Sequence, residues 1–137
     1  MTTTLIITVV LSALAAVDVA LTRLRLGRSG ETAGRLSIPA GLINLHTTAG
    51  VLALLTWAGY LATHLGLLGP VAVVLWWVTV VAGLLVLARW LPARGRHSSG
   101  PVRDNWLDGG PWLSLLAHLG LLGGAVVFTT YWWMGWV

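Results

Sequence analysis

A chain of 137 residues has the size of one domain, but 57% hydrophobic and 9% charged residues leave too little charge to solvate a water-soluble surface. That excludes a soluble enzyme, a DNA-binding domain and a disordered tail. All of the 8 cations are arginines that flank long apolar runs, so the net charge of +4 marks membrane topology and not a nucleic-acid footprint. With 0 cysteines there is no disulfide framework, thiolate metal site or thiol nucleophile.

The first predicted element runs from Thr4 to Leu24, apolar apart from Asp18 and, at its end, Arg23. About 20 residues at about 1.5 Å each cross a hydrocarbon core of about 30 Å. The small residues Ser12 to Ala16 also suit a signal-peptide cleavage region, but Met1-Thr2-Thr3-Thr4 lacks a basic leader and the arginines follow the apolar run. An uncleaved helix is expected. Leu36 to Ala88 then contains no Asp, Glu, Lys or Arg, a length suited to two crossings with a turn near Leu65-Gly66-Leu67-Leu68-Gly69-Pro70. Span two is placed at 38–64 and span three at 71–91. Pro92 to Gly110 mixes Arg, Asp, Gly and Ser and reads as a solvated loop, and span four starts at Pro111 and occupies 111–137. The predicted fold is all-α: one integral membrane four-helix bundle with up-down-up-down topology.

The arginines set its orientation. Arg23, Arg25, Arg28 and Arg35 lie between spans one and two, and Arg89, Arg94, Arg96 and Arg103 between spans three and four. The positive-inside rule therefore places both termini and the Gly-Pro turn outside, in what is expected to be a bacterial plasma membrane. Trp76, Trp77, Tyr131, Trp132, Trp133 and Trp136 are expected to form an outer aromatic belt, and Trp90, Trp106 and Trp112 an inner one.

Ionisable groups at membrane depth are costly and usually face protein, which singles out Asp18, His46, His64 and His118. His97 falls in the arginine-rich loop. His46 follows Pro39 by seven residues and His118 follows Pro111 by seven, so each lies roughly 10 Å inside the membrane on parallel helices. Two imidazoles at one level on diagonal helices suit the axial ligation of a haem. Gly41 and Gly50 on span two, and Gly120, Gly123 and Gly124 on span four, remove bulk beside a flat ring. Arg28, Arg35, Arg94, Arg96 and Arg103 offer paired donors to propionates. Asp18, at similar depth, is a candidate to accept a ligand histidine's second N–H or to carry a proton. Together with the two histidines it also permits a non-haem metal site. His64 lies five helical turns from His46, about 27 Å outward. The equivalent step from His118 reaches Trp136, so a second bis-histidine site is not expected, and His64 is instead a candidate for quinone or partner binding at the outer side.

At Leu45-His46-Thr47-Thr48-Ala49-Gly50 and Leu116-Ala117-His118-Leu119-Gly120 the chain resembles the small b-type cytochromes of membranes. These include the four-helix anchors of respiratory dehydrogenases and the cytochrome b561 and ferric-reductase-like groups. The resemblance implies one non-covalent haem b with His46 and His118 as axial ligands. The implied function is that of an electron-transfer subunit, without catalysis of its own, that exchanges electrons with quinone or a partner subunit. Two alternatives remain at this level. One is a cofactor-free structural or assembly subunit, joined to other membrane subunits or as a homodimer; the other is a small proton-coupled carrier.

Overall fold

A helix that is apolar all round has no hydrophilic face to steer it, so its packing is decided by where small and polar side chains let backbones approach. The computed structural model describes residues 2–28, 32–33, 36–37, 39–88 and 111–137. It contains helices α1 (Thr3–Arg28), α2 (Ala40–Thr63), α3 (Leu68–Ala88) and α4 (Pro111–Trp133). Each includes a stretch long and apolar enough to cross a membrane: Thr3–Leu21, Ala40–Thr63, Leu68–Ala88 and Leu115–Trp133. This is an all-α four-helix bundle with the make-up of an integral membrane protein. Between α1 and α2, the short strands β1 (Thr32–Ala33) and β2 (Leu36–Ser37) pair antiparallel, with Thr32 opposite Ser37.

Helices α1 and α3 each pack against both α2 and α4, which leaves α2 and α4 diagonal to one another. The most extensive of these contacts joins α2 to α3. On α2 the buried residues Ile43, His46, Gly50, Ala53, Trp57 and Tyr60 follow alternating steps of three and four. Gly69, Ala72, Trp76, Thr79, Gly83 and Val86 repeat that rhythm on α3, as do His118, Leu121, Ala125 and Phe128 on α4. This spacing averages 3.5 residues and keeps one seam of each helix facing the bundle axis, as in left-handed coiled coils. Beyond the seam the surface is hydrocarbon: Leu14, Leu55, Leu67, Val74 and Leu116 are all exposed.

The half of the bundle nearer the α2–α3 turn is filled with aromatic side chains. Phe128 of α4 lies 4.9 Å from Trp57 of α2 and 5.2 Å from Trp76 of α3, ring centre to ring centre. Both tryptophans are fully buried, which corrects the expectation that Trp76 belongs to a lipid-facing belt. Its neighbour Trp77 is half-buried and donates its indole N–H to Thr129 Oγ1 on α4 at 3.0 Å. Trp133 and Trp136 are exposed, as belt residues should be.

The α2–α3 turn is shorter than the Gly-Pro stretch suggested. His64 ends α2 in the left-handed conformation, with φ 52°, and its backbone N–H bonds to Tyr60 O at 2.7 Å. Helix α3 then starts at Leu68, ahead of Gly69 and Pro70. Proline is harmless there because first-turn N–H groups have no intrahelical acceptor.

Candidate functional site: a buried histidine pair

His46 and His118 project from the two diagonal helices and meet on the bundle axis. Their ring centroids are 6.0 Å apart and the rings are 17° from parallel. Both are buried, at 1% and 4% exposure, although they lie 72 positions apart in sequence. Matching depth on parallel helices therefore becomes side-chain proximity once the seams close.

Helix α3, which has no ionisable residue, completes the site with backbone. The Thr79 carbonyl oxygen lies 2.9 Å from His46 Nδ1, so the ring donates its Nδ1–H there and leaves the Nε2 lone pair available. Among the described residues His46 Nε2 is buried and has no hydrogen-bond partner. Thr79 Oγ1 bonds back to Leu75 O at 2.8 Å, a local bond that keeps the hydroxyl off the imidazoles. One turn later, a Cβ placed on Gly83 would come within 2.9 Å of both His46 Cε1 and His118 Cδ2. Such contacts are shorter than carbon atoms tolerate, so only glycine lets α3 approach both rings together.

Helix α1 supplies Asp18 on the same level. The carboxylate interacts electrostatically with both His118 and His46. Its Oδ2 is buried and has no hydrogen-bond partner among the described residues. The expected role of accepting a ligand histidine's second N–H is filled, for His46, by the Thr79 carbonyl. Asp18 also does not complete a metal cluster: among the described residues no three His, Cys, Asp or Glu side chains are grouped to hold an ion. The neighbouring Val19 packs on Gly50, where a Cβ would meet Val19 Cγ2 at 2.9 Å, so Gly50 brings α1 close to α2 one turn from His46.

The other expected residues are placed as follows. Gly120 is exposed, about 200° around α4 from His118, and nothing lies within 4 Å of a Cβ built there. Arg35, Arg103, Arg94, Arg96 and His97 lie outside the described residues. Arg23 is exposed and donates to Asn44 Oδ1 at 3.3 Å, tying the end of α1 to the start of α2. His64 is exposed at the opposite end of α2 and meets Tyr60 edge-on at 5.9 Å. The two residues missing from the sequence reading are Thr79 and Gly83. A backbone acceptor leaves no sequence signal, and Gly83 showed only in its 3.5-residue spacing from the other small residues of α3.

Bundle and site together define a four-span membrane protein with one buried imidazole pair near the arginine-bearing ends of its helices. No known protein family, curated protein or solved structure matches the chain.

Proposed function

We propose that the protein is a membrane electron-transfer subunit that binds one non-covalent b-type haem through His46 and His118. The observation that carries the reading is the convergence of these imidazoles from diagonal helices. Imidazole nitrogens bind metals at about 2 Å, so two rings on opposite sides of one ion have centroids about 6 Å apart, and the pair stands at 6.0 Å. Two protein donors, with no third ligand grouped beside them among the described residues, suit a macrocycle that brings four nitrogens of its own better than they suit a bare ion. The unpartnered His46 Nε2 and the glycine surface at position 83 fit the same donor set.

When bound, such a group carries one electron by cycling between its ferric and ferrous states. The chain's own residues hold and shield it. Thr79 O fixes the His46 tautomer and ring direction, as carbonyls do behind metal-bound histidines. Gly83 sets the approach of α3, and the aromatic filling of Trp57, Trp76 and Phe128 keeps water from the outer side. The arginines of the connections, Arg35 and Arg103 among them, are suited to propionates, and a quinone or a partner subunit is the electron-exchange partner. By the positive-inside rule the arginine-bearing ends face the cytoplasm and both termini face outward, consistent with a bacterial plasma membrane.

Protein purified from haem-replete cells, or reconstituted with haemin, is expected to show the sharp reduced bands of six-coordinate low-spin haem at about one haem per chain. His46→Ala and His118→Ala should each abolish or convert that spectrum, whereas His64→Ala and His97→Ala should leave it intact. A colourless, well-folded preparation that takes up no haemin would overturn the proposal in favour of a structural subunit.

A further inference from the structure

Asp18 has no task in the site as described so far. A carboxylate at membrane depth needs compensation, from a cation, hydrogen bonds or a proton. Its Oδ2 is buried and meets no hydrogen-bond partner among the described residues. The cation nearest in sequence, Arg23, is exposed and engaged with Asn44. The next residue, Val19, packs on Gly50 beside Thr79, whose carbonyl holds His46, so Asp18 stands at the level of the pair and its titratable neighbours are His118 of α4 and His46 of α2. Helix α3 contributes no ionisable side chain at all. Among the described residues no cation matches this carboxyl group, which stands beside the place where a positively charged centre would sit.

We propose that Asp18 is the counter-ion of the centre held by His46 and His118. The inference rests on the haem reading and adds a residue that sets its redox balance. Ferric haem carries one net positive charge on the iron–porphyrin core and ferrous haem carries none. A fixed carboxylate beside the imidazoles therefore stabilises the oxidised form and leaves the reduced form nearly unaffected. Reduction adds one electron to the iron, with no bond broken and no proton required. Among the described residues Asp18 does not group with the two histidines as a third metal donor, so its proposed action is through the field and not as a ligand.

The test is an equilibrium redox titration of the haem-loaded protein, wild type against Asp18→Asn and Asp18→Glu, with dithionite and ferricyanide as reductant and oxidant. Asp18→Asn should raise the ferrous-over-ferric affinity ratio about tenfold, an upward shift of about 59 mV for one electron, and Asp18→Glu should restore most of the original value. Redox-inert probes give a second measurement that needs no electron transfer. Asp18→Asn should weaken binding of gallium(III) protoporphyrin, which carries the charge, and spare zinc(II) protoporphyrin, which does not. If wild type binds haem but Asp18→Asn leaves both the potential and the gallium-to-zinc preference unchanged, the counter-ion role is wrong and the haem reading stands. If wild type takes up none of the three porphyrins, the haem reading fails and the counter-ion role falls with it.

Discussion

Single positions in this bundle differ sharply in how much change they can absorb, and the glycines show it best. At Gly83 an added methyl would press on both imidazoles, with contacts of 2.9 Å. Gly83→Ala should therefore lower haem occupancy of the reconstituted protein severalfold and broaden its spectrum. Gly124 is also buried, yet nothing lies within 4 Å of a Cβ placed there. Gly124→Ala should leave haem binding unchanged and raise thermal stability in detergent, by up to about 1 kcal/mol from helix propensity. Equal losses at the two positions would show that Gly83 does not control the approach of α3. The sequence made the histidines legible, because ionisable residues are rare in apolar helices. It did not reveal Gly83 or Thr79, since a glycine and a carbonyl oxygen are unremarkable in any membrane helix.

Element boundaries were legible wherever charge or proline interrupted hydrocarbon, as at Pro39 and Pro111. They were less so at the α2–α3 turn, where Gly69 and Pro70 suggested a loop but stand in the first turn of a helix. Helix termination there falls to His64, whose φ of 52° is a conformation that glycine adopts freely and branched side chains avoid. His64→Gly should hold or raise the thermal midpoint, and His64→Val should cost about 1 to 2 kcal/mol, measured by circular dichroism in the same detergent. The orientation of α3 was likewise hidden, because its apolar character is uniform around the axis. What turns Trp76 inward and Trp77 toward Thr129 is the seam of Gly69, Ala72, Thr79 and Gly83, visible only when small residues are counted in steps of three and four. Trp77→Phe removes the bond to Thr129 and should cost about 0.6 kcal/mol, the usual worth of a hydrogen bond between membrane helices.

For the molecule as a whole, the four apolar helices of the described residues bring the start of α1 and the end of α4 to the same end of the bundle, where Thr4 Oγ1 donates to Trp136 O at 3.4 Å. With single cysteines at Thr3, Ser29 and Ser99, an impermeant thiol reagent on intact cells should label Thr3→Cys and spare the other two. The reverse pattern would invert the proposed orientation. The bundle also repeats its own plan along its length. Fourteen residues from His46 and His118, toward the α2–α3 turn, stand Tyr60 and Trp132, and fourteen residues from Gly83 in the same direction stands Gly69. A Cβ on Gly69 would press on Trp132 Nε1 and meet Tyr60 Cε2 at 3.2 Å, just as one on Gly83 would press on the two imidazoles. That layer is a socket of the same pattern closed by a phenol and an indole. On the haem reading, about 21 Å of packed side chain then separates the single centre from the outer layer, so electrons enter and leave on the arginine-bearing side and the protein works as a one-sided relay. Tyr60→His combined with Trp132→His should open the second socket, and a haem content rising toward two per chain would turn that relay into a wire across the membrane.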